Sequence, residues 1–274
     1  MLDTTPAFAE FAREAFKYSP VEREVMWRER YEAAHRDVFD AFHAALGERR
    51  TPLVRELSAL RRRAEEAAPV IAELAEELDP RVAELLGVES EASPLHVLVV
   101  GASSTSAVVG RVGDDVALFH CLEWYRSREG ARTLVAHEDT HAWHQIRLGL
   151  APPENDVAWT AFYEGLALRA SRQLVPDQPE QDYFWYGYEG FEEWLPWCRE
   201  RRDTLLETFR ASLDDPGAVE SFFGGGLVEG QWRVGFFVAD EIVGGIGHSV
   251  AELAALSVEE AVGVVHSALE GPAH

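Results

Sequence analysis

His137-Glu138-Asp139-Thr140-His141 has the H-E-x-x-H spacing. Four residues along an α-helix make one turn plus about 40°, so both imidazoles leave one face, about 6 Å apart at their bases, and can converge on one metal ion. Glu138 is rotated by about 100° from His137, near enough to take a proton from a water at such an ion without being a ligand itself. With 10 histidines in 274 residues, the pattern arises by chance roughly 0.05 times, so its context has to decide. The inward stripe of this helix reads Leu134, His137, His141, His144 and Leu148. Three imidazoles on an otherwise apolar face are costly to bury without a partner. The competing reading is a charged helix with incidental histidines.

A catalytic Zn²⁺ takes three protein ligands and keeps one position open. His144 lies seven residues from His137, about 10 Å along the axis, whereas ligands of one zinc sit about 3.3 Å apart. His144 is therefore read as a packed or supporting residue. Glu164, in the segment from Trp159 to Ala167, shares a face with Val157, Ala161 and Leu168 and places a carboxylate on an apolar stripe. It is the expected third ligand. The alternative is a buried acid paired with Arg169 or Arg132. Gly165 beside it is expected to let its helix approach the H-E-x-x-H helix closely, across a turn containing Pro152-Pro153. His120 and Cys121 point to opposite faces of a strand and make no metal pair.

H-E-D-T-H followed 23 residues after its second histidine by E-G-L-A resembles the gluzincin group of zinc metallopeptidases. More narrowly, the strand-then-HEDTHAWHQ arrangement, the FYEGLA segment and the G-Q-W-R-V-G-F-F segment at 230–237 resemble an uncharacterised family of predicted bacterial zinc-dependent proteases. The resemblance covers roughly residues 95–243 and is specific at the two metal-bearing helices. It implies a zincin-like fold, His137, His141 and Glu164 as zinc ligands, and Glu138 as general base. Metzincins need H-x-x-G-x-x-H starting at the second histidine, and this chain has His144 in the glycine position, followed by Gln145, Ile146 and Arg147, which excludes that class. A thermolysin-like site also has an Asp four residues after the ligand Glu, where Leu168 stands here, so any partner of the zinc histidines has to come from elsewhere.

The expected activity is peptide-bond hydrolysis by zinc-activated water, with Glu138 carrying the proton to the leaving amine. An oxyanion donor is needed from outside the metal helices: Arg233 is the first candidate, then His248 and the 183–188 tyrosines. The strand at 116–124 takes the position where zincin-like folds lay an extended substrate along a sheet edge, or is an ordinary sheet strand. Tyr183, Trp185, Tyr186, Tyr188, Trp194 and Trp197 either line a cleft or, at their helical spacing, fill the core. The second functional class is a catalytically silent zinc-binding structural or protein-interaction module.

These residues need scaffolding, and the chain reads as α+β and mainly helical. A helical N-terminal region (1–90) precedes a zincin-like metallopeptidase domain (91–274) with a small sheet packed on the H-E-x-x-H helix. In the first region 22–46 and 53–68 show helical periodicity, Pro69 interrupts it, and 70–78 resumes it. Valine-rich segments at 96–101, 106–111 and 115–124 predict three strands. Helices are predicted over 133–148, from an Asp156 cap to about 174, over the aromatic stretch 183–197, and over 199–213, 231–243 and 258–269, with a flexible loop at Gly224-Gly225-Gly226. The content of 47% apolar residues excludes a disordered chain, and a net charge of −23 argues against nucleic acid and anionic membranes as partners. Two distant cysteines, and an amino terminus without a basic, apolar leader pattern, lead to the expectation of a cytoplasmic protein acting on peptide or protein substrates, its oligomeric state open.

Overall fold

The valine-rich segments do form strands, held in one sheet of order β1-β2-β4-β3: β1 (Leu2–Asp3), β2 (Leu95–Val99), β3 (Ala107–Val112) and β4 (Asp115–Cys121). The computed structural model describes residues 1–50, 52–101, 105–149, 153 and 155–270. β1, β2 and β4 run parallel, and β3 returns antiparallel to β4 through a tight turn in which Gly113 takes a left-handed φ of 61°. β1, only two residues long, is too short to show alternation and is an addition to the three predicted strands. β4 is flanked on both sides, and residues 122–124 form a 3-10 turn. The expectation of a substrate along 116–124 is therefore corrected, because the open edge beside the site belongs to β3.

Helices surround this sheet: α1 (Thr5–Ala15), α2 (Pro20–Met26), a π-helical stretch Trp27–Glu32, α3 (Arg36–Ala45), α4 (Leu57–Leu86), α5 (Arg128–Leu148), α6 (Val157–Leu174), α7 (Asp182–Trp185), α8 (Trp194–Glu200), α9 (Arg202–Ala211), α10 (Ala218–Phe222), α11 (Val234–Gly244), α12 (Val250–Ala254) and α13 (Val258–Glu270). The coarse class, α+β and mainly helical, is as expected.

Two N-terminal expectations change. The continuous helix expected over 22–46 breaks at His35, with φ −135° and ψ 49°, and the wider π turn before it brings Trp27 and Tyr31 together, with ring centroids 5.1 Å apart, into a buried cluster with Phe8 and Phe39. The Tyr31 hydroxyl there accepts from the Val100 N–H at 2.9 Å and bonds the Thr4 hydroxyl at 2.8 Å, tying the helices to the end of β2. Pro69, in turn, does not stop α4, which runs through it and through Pro80 for 30 residues. Each proline costs a backbone hydrogen bond, on the order of 3 kcal/mol, but Ala64, Ala67, Ile71, Leu74, Leu78 and Val82 keep one stripe buried throughout, and that packing prevails.

Residues 1–90 share one hydrophobic core with the rest of the chain: α4 packs along α5, α3 packs on β3, and Phe42 meets Phe119 of β4 at 5.5 Å. In the aromatic stretch 183–197 only short helices form, since Tyr186 turns left-handed at φ 51°. Cys121 and Cys198 are free and buried, and no described helix is long and apolar enough to cross a membrane.

Candidate metal centre

Ser127 caps α5 by accepting the Gly130 N–H, and Asp156 caps α6, as its position predicts, by accepting from Trp159. The two helices pack antiparallel, since His144 meets Trp159, His141 meets Tyr163 and His137 meets Glu164 in reversed order. Pro152 of the expected turn lies outside the described residues. Gly165 serves a different contact from the one expected. A Cβ there would come within 2.5 Å of Val243 Cγ2 and 2.6 Å of the Ala239 carbonyl, so it is α11, not α5, that the glycine admits against α6.

The antiparallel packing brings the three expected ligand groups together. His137 Nε2 lies 3.0 Å from Glu164 Oε2, His141 Nε2 lies 3.4 Å from the same oxygen, and the two Nε2 atoms are 3.1 Å apart. Ligands around a tetrahedral zinc with bonds of about 2.0–2.1 Å are separated by about 3.3 Å, so this triangle fits one such ion. Glu164 pairs with neither alternative partner: Arg169 donates to the Val243 and Ile246 carbonyls, and Arg132 binds Glu77. Its stripe neighbours Val157, Ala161 and Leu168 are buried as the pattern requires.

The electrostatics prepare the same site. Burial raises the Glu164 carboxyl, but the two imidazoles outweigh it and hold the group well below the ordinary carboxylate range. Burial depresses His137 to about 4 against the pull of Glu164, leaving it in the neutral form that a ligand needs. Burial also opposes charge on His141, yet Glu164 and Glu138 together raise it. Glu138 is pushed up to about 7, chiefly by burial.

Glu138 lines an open cleft of about 330 Å³ with His137, His141 and Glu164, residues 105–109, Tyr186, Phe236 and Arg233. Arg233 sits at the head of α11 with a left-handed φ of 58°, its guanidinium 3.9 Å from the centre of the Phe236 ring and 5.7 Å from that of Tyr186. Of the other oxyanion candidates, His248 is exposed away from the cleft, Tyr183 donates to Val175, and Tyr188 donates to Trp124. Tyr186 lines the cleft, whereas Tyr183, Trp185 and Trp194 are buried in the core. Tyr163, which sequence reasoning did not single out, stacks on His141 at 3.9 Å and donates to the His141 carbonyl. Its place one residue before Glu164 was the available signal.

His144 is fully buried, stacks on Trp159 and is depressed to about 3 by burial, so it is a neutral core residue. The Nδ1 atoms of His137 and His141 have no hydrogen-bond partner among the described residues, in keeping with Leu168 in place of an orienting acid.

Tyr186 is placed by Gly130 in the first turn of α5, where a Cβ would stand 2.1 Å from the Tyr186 carbonyl oxygen. Backbone cannot yield as a flexible side chain can. Gly130→Ala is expected to lower stability by roughly 1–3 kcal/mol in urea unfolding. An unchanged midpoint would count against this packing.

Comparison of the chain with family models, with curated proteins and with solved structures found no match.

Proposed function

We propose that the protein is a zinc-dependent metallopeptidase whose ion is held by His137, His141 and Glu164. The observation that carries this reading is the convergence of those three groups within 3.4 Å at the wall of a cleft that Glu138 also lines. A structural zinc site is closed by a fourth protein ligand, and the described residues bring three together. That difference favours the enzyme over the silent zinc-binding module.

When bound, zinc supplies Lewis-acid activation of water and of the scissile carbonyl. The chain's own residues do the rest. The Glu138 carboxylate takes a proton from water in the cleft and delivers it to the leaving nitrogen, so the peptide bond breaks as acid and amine form. The edge strand β3, whose residues 107–109 line the cleft, is where an extended peptide would add as a further strand.

Arg233 and Tyr186, which both line the cleft, would donate to the carbonyl oxygen as it gains charge. Both hold left-handed backbone conformations that cost on the order of 1–3 kcal/mol each, and such strain gathers at functional sites. Arg233→Gln is expected to lower kcat on the order of 10²-fold with little change in KM, measured by steady-state kinetics. A fall confined to KM would assign Arg233 to ground-state binding instead.

The test of the whole reading is a peptide-library cleavage screen with zinc-loaded protein and a Glu138→Gln control. Cleavage that disappears in the control supports the enzyme. Equal cleavage by both proteins refutes it.

A further inference from the structure

Asp139, the middle residue of the H-E-x-x-H segment, has no part in the chemistry above. It stands 200° around α5 from His137, on the opposite face of the helix. Its carboxylate is fully buried, and neither oxygen has a hydrogen-bond partner among the described residues. It faces His96 of β2, whose Nε2 lies 3.4 Å from Asp139 Oδ1 and 3.5 Å from Asp79 Oδ1 of α4.

We propose that Asp79, His96 and Asp139 form a second binding site for a divalent transition-metal ion of the zinc class. Three features carry it. The separations of 3.4 and 3.5 Å exceed the roughly 2.7–2.9 Å of a charge-assisted hydrogen bond and match the ligand spacing of about 3.3 Å around zinc. The donors are also oriented from behind: Trp143 Nε1–H donates to Asp79 Oδ1 at 2.9 Å, and His96 Nδ1 is 3.1 Å from His120 Nε2, which turns His96 Nε2 toward the two carboxylates. Finally, Asp139 is a buried carboxylate with no hydrogen bond among the described residues, a costly arrangement unless a cation stands before it. Two carboxylates and one imidazole neutralise a divalent ion and suit the zinc class. Asp79 is 21% exposed, so the site opens to solvent on that side.

The ion would pin α4, β2 and α5 together, giving α5 one metal on each face. Its role is structural, and the site is independent of the reading given to the first centre.

The test is the zinc content of folded protein by plasma mass spectrometry, after loading with Zn²⁺ and dialysis. The wild type is expected to hold about two ions per chain, with Asp79→Asn, His96→Gln and Glu164→Ala each holding about one. A wild type with about one ion that is lost in Asp79→Asn yet kept in Glu164→Ala would support this site and remove the first. Wild-type zinc content in both Asp79→Asn and His96→Gln would overturn the proposal and leave a proton on His96 as the occupant. So would a wild type with about one ion that vanishes in Glu164→Ala. Far-UV circular dichroism checks the fold, and the partly exposed Asp79→Asn carries the result if His96→Gln unfolds.

Discussion

Glu138→Gln is expected to leave zinc content unchanged while turnover of any cleaved peptide falls by roughly 10²–10⁴-fold, the usual contribution of a positioned general base. The glutamine keeps the shape and the polar head of the side chain but cannot accept the proton. Glu138 lies in the cleft wall beside His137, His141 and Glu164 and is not one of the three groups that converge, so its replacement is expected to separate catalysis from metal binding. Zinc content by mass spectrometry and steady-state kinetics on the same preparation give both halves of the result. Retained activity would remove Glu138 from the mechanism. Loss of zinc would make it a ligand.

Glu164→Ala is expected to have the opposite signature, weakening zinc by more than about 100-fold, beyond what changes behind the ligands produce. Glu164 Oε2 contacts both imidazoles, so without it only two imidazole nitrogens remain in contact with an ion and Glu138 is the nearest remaining acid. By linkage, a 100-fold loss removes about 2.7 kcal/mol of the stabilisation that excess zinc confers. Thermal unfolding with and without zinc reads this directly: the variant keeps only the rise in Tm that comes from zinc at Asp79, His96 and Asp139, so its zinc-induced rise is smaller than that of the wild type. Equal rises would show that the carboxylate does not hold the ion.

Much of this centre is legible in one dimension because an α-helix converts spacing into direction. The four-residue interval of His137 and His141 puts both rings on one face, and the apolar neighbours of Glu164 mark it as an acid that needs a buried partner. Local chemistry likewise sets the Asp156 cap and the valine-rich strands. Where long-range packing competes with a local signal, the local signal loses. Pro69 breaks a helical pattern on paper, and α4 runs through it because a continuous buried stripe outweighs one hydrogen bond.

The sequence by itself therefore determined which side chains could meet a metal and which one could move a proton, since those properties depend on residue type and helical phase. Only the tertiary structure decided what stands opposite them. Antiparallel packing of α5 and α6 brings Glu164 to the histidines, and the strand order exposes β3 rather than β4 to the cleft. A left turn at residue 186 delivers Tyr186 there, and Gly165 turns toward α11. The meeting of Asp79, His96 and Asp139 joins a helix, a strand and a second helix that no periodicity relates. Contacts between distant segments depend on how whole faces pack, and that information is not local to any stretch of chain.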